Sequence, residues 1–131
     1  MYRSVQYPFL RRPHSVIGGP NMNSTRTVLF IDAVITHADV FRAAVLATSG
    51  PGLHVEWART FSEGLKRLRE LEIWAIVINL FLPDSQGLDT LDKLLNEGPG
   101  VPILVLAGAD DDAVGIEALR RGAKDYLLAA C

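Results

Sequence analysis

Residues 73–79, I-W-A-I-V-I-N, constrain the fold of this chain more than any other stretch. They form an apolar run, rich in β-branched residues and without polar alternation. That is the pattern of a strand buried on both faces, as in a parallel sheet. The run ends at one polar residue, Asn79. A loop with Pro83 and Gly87 follows, and a helical pattern starts at Leu88. In open parallel sheets, ligands and chemistry gather where strands end and loops begin. Asn79 stands where a reactive group is expected, and it is an amide.

The rest of the chain repeats this alternation. Residues 27–31 are apolar and end at Asp32. Residues 38–48 carry Val40, Phe41, Ala44 and Val45 at helical spacing, with Thr36 as the expected cap. Gly50, Pro51 and Gly52 break that pattern, and residues 53–58 read as a second strand. Thr60 and Glu63 have the spacing of a capping box, opening a helix with Phe61, Leu65, Leu68 and Leu71 on one face. The Leu88 helix runs to residue 95 and is stopped by Gly98 and Pro99. Residues 101–106 are a fourth strand. Asp110, Asp111 and Asp112 open a helix, where negative charge suits the N-terminus. Gly122 closes it, and residues 124–128 form a short fifth strand. Strands alternating with helices predict an α/β domain with right-handed crossovers. For this length the common strand order is 2-1-3-4-5, which sets Asp32 beside Asn79 at the carboxyl edge.

The chain of 131 residues is long enough for one domain with a core. Residues 25–131 are assigned to it. Residues 1–24, rich in Pro and Gly and without helical or strand period, are expected to be a flexible basic tail. The tail has no continuous apolar segment after its arginines, so it is not a secretory signal. Its prolines weaken a transit-peptide reading, and Met22 is an alternative start. Nothing reaches the length of a membrane span, and no membrane partner is expected. A single cysteine, Cys131, cannot form an internal disulfide, so a cytoplasmic protein is expected. No acidic residue precedes Asp32, and the body after it is acidic. That balance argues against a nucleic-acid groove. The chain shows no nucleophile with a base at suitable spacing, no glycine-rich phosphate loop and no metal cluster, so it is not expected to be an enzyme. His37 and His54 lack metal-ligand spacing. Trp57 and Trp74 are expected to anchor the core or the sheet edges.

Four segments together resemble the receiver domain of two-component response regulators. They are V-L-F-I-D ending at Asp32, L-F-L-P-D-S-Q-G-L-D after the third strand, V-P-I-L-V-L-A-G at the fourth, and E-A-L-R-R-G-A-K-D-Y-L into the fifth. The resemblance implies a flavodoxin-like (CheY-like), doubly wound, five-stranded parallel sheet. In that family an aspartate accepts a phosphoryl group from a histidine kinase. An acid pair holds magnesium, and a lysine, a hydroxyl and an aromatic residue read the phosphate.

Carried over residue by residue, the resemblance gives a degenerate site. Asp32 matches the first acid and is the remaining acidic-pocket residue. Ala33 stands at the second acid, Asn79 at the phosphoacceptor, Ala107 at the hydroxyl and Ala129 at the lysine. Four of the five groups that would touch magnesium or phosphate are therefore absent. Asn79 is an inactive equivalent of the acceptor, magnesium binding is expected to be weak or absent, and no other cofactor is implied. Asp32 is expected to bond loop amides or Asn79. Loss at several positions favours natural decay over engineering at Asn79. Tyr126 matches the aromatic switch, and Ala118, Arg121, Lys124 and Tyr126 mark the face where the family meets partners.

Receivers usually close with a fifth helix; this sequence stops at Cys131 without room for one, so the chain is expected to lack it or to be a piece of a longer protein. The expectation is a bare sheet face, filled by a second copy or another domain, with the tail as a further candidate. The resemblance implies a phosphorylation-independent pseudo-receiver that binds a protein partner or output domain. Two alternatives are a phosphorelay receiver disabled by substitution or using another acceptor, and a small-ligand module using the emptied pocket.

Overall fold

A computed structural model describes residues 25–98, 100–108 and 110–129. The expected tail, Pro99 and Cys131 lie outside the described residues. The elements are β1 (Arg26–Ile31), α1 (Ile35–Ser49), β2 (Leu53–Ala58), α2 (Phe61–Glu70), β3 (Ala75–Asn79), β4 (Phe81–Leu82), β5 (Ser85–Gln86), α3 (Leu88–Glu97), β6 (Ile103–Gly108), α4 (Asp112–Arg121) and β7 (Asp125–Ala129). β4 and β5 form a small antiparallel hairpin. The other strands make one five-stranded sheet in the order β2-β1-β3-β6-β7, all parallel. Setting the hairpin aside, this is the expected order 2-1-3-4-5.

Successive side chains of a strand point to opposite faces, and the apolar runs of β1, β3 and β6 fill both. On one face Leu29, Ile31, Ile76, Ile78, Ile103 and Val105 are buried with Phe61, Leu91, Leu94 and Ala118 from α2, α3 and α4. On the other, Val28, Phe30, Val77, Leu104 and Leu127 are buried with Ala38, Phe41 and Val45 of α1. The Phe30 and Phe41 rings stack with centroids 4.5 Å apart. The lack of alternation in 73–79 is the signature of this double burial.

Local signals explain most of the boundaries. The Thr60 hydroxyl oxygen accepts the Glu63 N–H at 3.0 Å and caps α2. At the end of α4, Gly122 adopts φ 124°, a conformation that disfavours side chains. Its N–H reaches the carbonyls of Ala118 and Leu119. Trp57 and Trp74 are half-buried and pack against the α1 layer. Arg59 lies over the first indole and Arg26 over the second, at 5.4 and 5.2 Å from the ring centroids.

Several expectations need correction. α1 begins at Ile35, so Thr36 lies inside the helix and Val34 is its N-cap, with no side-chain cap bond. The reason is that Asp32 takes the Val34 N–H and closes the turn from the strand end. The segment after β3 contains a hairpin as well as a turn. The sheet face expected to be bare is not bare: Val77 and Leu104 are 0% and Leu127 is 3% exposed. Among the described residues α1 is the one helix on that face. Half-buried Leu53, Trp57, Trp74 and Leu106 also pack against this cluster. Ala118, expected on a partner-facing surface, is fully buried among Ile103, Val105 and Leu94. The helical period turns it toward the sheet, while Ile116 and Leu119 face outward.

Candidate functional site at the carboxyl edge

Strand order brings the ends of β1 and β3 together, and with them Asp32 and Asn79. Asp32 is fully buried, and a buried carboxylate must be satisfied by partners. Its Oδ1 accepts the Val34 N–H at 2.9 Å. Its Oδ2 accepts from His37 Nδ1 at 2.9 Å and from Asn79 Nδ2 at 3.3 Å. Asn79 Oδ1 in turn accepts the Phe81 N–H at 2.9 Å. The last two bonds fix which end of the amide faces which way, because Asp32 can only accept and the Phe81 N–H can only donate. The Trp57 indole N–H donates to the Asp32 carbonyl at 2.7 Å. One network thus joins β1, β2, β3 and the first turn of α1.

A second carboxylate at this edge has a structural task. Asp84, on the β4–β5 turn, accepts from the N–H groups of Phe61 and Ser62 at 2.8 and 2.9 Å and from the Ser62 hydroxyl at 3.0 Å. It anchors the start of α2. Desolvation is the largest single influence on its carboxyl group and raises it. The hydrogen bonds together outweigh that and hold it below the usual carboxylate range.

The other singled-out residues are spread around the sheet. Ala33 is half-buried beside Asp32, and Ala107 is buried near the end of β6. Ala129 pairs with Gly108 at the end of β7. Lys124 is exposed and lies before β7, at the amino end of the sheet, where its N–H bonds the Ile103 carbonyl. Arg121 pairs with Asp92 at 2.8 Å and Glu117 at 3.2 Å. Tyr126 is half-buried and packs on the α2–α4 layer.

The residues do not fit a magnesium site. That ion takes near-octahedral oxygen ligands. Here both oxygens of Asp32 are engaged by protein donors, Ala33 offers no ligand, and Asn79 turns its NH₂ toward Asp32. Among the described residues no three His, Cys, Asp or Glu side chains group as a metal site. The 3.3 Å contact between Asp32 and Asn79 also leaves no room for a ligand atom between them. Sequence reasoning missed His37. Its signal was position alone, five residues after Asp32 in the first turn of the helix leaving that strand.

An open, doubly wound sheet with its polar site across the carboxyl ends of β1 and β3 defines the flavodoxin-like class. The sequence model of the response regulator receiver domain matches residues 28–129, and the chain belongs to that family, whose domains act in two-component signal transduction. It is 32% identical over 101 residues to the probable transcriptional regulatory protein TcrX of Mycobacterium tuberculosis, covering 77% of this chain and 42% of that protein. It is 26% identical over 118 residues to the response regulator protein TmoT of Ectopseudomonas mendocina, covering 90% of this chain and 53% of TmoT. The chain thus spans about half the length of these relatives or less. A receiver domain structure from Clostridium thermocellum superposes with a TM-score of 0.69 at 24% identity, covering 81% of this chain and 83% of that one. A CheY-like receiver domain from Methanospirillum hungatei gives 0.69 at 23% identity, covering 82% and 84%. Both show the fold. No helix among the described residues is long and apolar enough to cross a membrane.

Proposed function

We propose that this chain is a pseudo-receiver, a cytoplasmic signalling module that acts by contact with a protein partner or output domain and without phosphorylation. One observation carries the reading: Asn79, at the family's acceptor position, presents an amide N–H₂ to Asp32 at 3.3 Å. An amide is neither an anionic metal ligand nor a nucleophile that forms an acyl phosphate. Ala33, Ala107 and Ala129 supply no group that could replace the missing chemistry. The contact surface is the outer side of α4 with the start of β7. Ile116 and Leu119 are 47% and 39% exposed there, near Arg121, Lys124 and Tyr126. Exposed apolar residues rimmed by charge suit a protein contact.

Incubation with acetyl phosphate and magnesium, followed by intact-mass spectrometry, tests the absence of phosphotransfer. The expected result is an unchanged mass. A stable gain of one phosphoryl group would overturn the proposal and favour a phosphorelay receiver with another acceptor.

A further inference from the structure

The imidazole of His37 is half-exposed while the carboxylate it holds is fully buried. Its Nδ1 lies 2.9 Å from Asp32 Oδ2, the oxygen that also takes the Asn79 amide. The remaining oxygen is taken by the Val34 N–H. A buried carboxylate in such a setting has two ways to be satisfied: a bound cation, or protein donors in sufficient number. Here three protein donors reach it from two different segments. Val34 and His37 belong to the turn into α1 and its first turn. Asn79 belongs to the end of β3, and its own oxygen holds the turn that follows through Phe81. The carboxylate therefore bridges two loops, the turn into α1 and the turn after β3.

We infer that His37 is a positioning residue that takes the place of a cation at Asp32. Its Nδ1–H completes the donor set of the carboxylate, shuts the pocket to divalent metal, and clamps the β1–α1 turn to the β3–β4 turn in one arrangement. The inference deepens the reading of the chain as a pseudo-receiver and rests on it for the role of the pocket. It makes the geometry of the carboxyl edge a constant of the fold: a domain without phosphoryl chemistry holds its loops by protein donors alone. The outer residues of those loops, Val34, Ile35 and Phe81, are exposed and are carried in fixed positions by the same three side chains.

Two measurements test the clamp. The first needs no variant: nitrogen-detected NMR of the histidines in the whole chain. The neutral His37 ring is expected as the Nδ1–H tautomer. An Nε2–H tautomer would overturn the inference, because Nδ1 would then have no proton to give Asp32. The second is thermal unfolding of the native chain, His37→Ala, Asp32→Asn and the double variant, each with and without millimolar magnesium. Each single variant is expected to unfold several degrees lower, and the double variant to lose clearly less than the sum. The native midpoint is expected not to move with magnesium. Additive losses, or a native chain stabilised by magnesium, would overturn the clamp. A phosphoryl gain from acetyl phosphate with coupling intact would sink the pseudo-receiver reading alone. Additivity with no phosphoryl gain would sink the clamp alone.

Discussion

Asp84 and Asn79 show how single polar atoms set this edge of the molecule. Because hydrogen bonds hold the Asp84 carboxyl below its usual range in the fold, the unfolded chain binds the proton more readily. The contribution of this contact is complete above the unfolded carboxylate value of about 4, and is lost as pH falls through the lower folded one. Asp84→Ala is expected to cost about 1 kcal/mol at neutral pH, as helix caps do. Urea titrations should show the gap between native chain and variant closing in acid. The side chain is exposed, so salt should narrow the gap as well. Asn79→Asp would replace a donor with a second anion against the buried Asp32 carboxylate. We expect a loss of about 2 kcal/mol at neutral pH, read from the urea midpoint; an unchanged midpoint would contradict the hydrogen-bond assignment. The meeting of Asp32 and Asn79 was legible in the sequence, because each is a polar residue closing an apolar strand run. His37 was not, because its role depends on how α1 turns back over β1.

At the scale of elements, α4 meets β7 without clearance. A methyl group on Gly115 would stand 2.5 Å from Cγ of Tyr126, so the ring lies in the space that glycine leaves. Gly115→Ala is expected to cost about 1–3 kcal/mol, the range for overpacking. It should also displace the ring, which ring-proton shifts in NMR would report; unmoved Tyr126 resonances would refute the contact. The sequence period located α4 and its stop at Gly122, while the family resemblance put Ala118 on the wrong side. Only the contact of α4 with β6 and β7 decides which stripe of a short, mixed helix faces inward. The same holds for α1: apolar spacing located the helix, while its start was set by an Asp32 carboxylate three residues upstream.

For the whole molecule, two apolar layers share one sheet, with Leu104 facing α1 and Val105 facing the other helices. A sheet whose strands are core to both layers should unfold as a unit. Calorimetry of the full chain is expected to give equal calorimetric and van't Hoff enthalpies. A calorimetric excess would mean that the layers melt separately. Phe41→Ala, which removes one ring of the Phe30 stack, should lower that single transition and leave it undivided. Strand order and double burial were legible from four apolar runs and their separations. The closure of the α1 face was not, because that packing also draws on Trp57, Trp74 and Leu106, which no period marks. The indoles have an experimental use. The Trp57 indole holds the carbonyl of Asp32 at one end of the sheet, while Trp74, whose backbone N–H bonds the Thr27 carbonyl, marks the other. Each end thus carries its own intrinsic fluorophore. With either one replaced by Phe, emission from the other reports, label-free, on which end a partner touches.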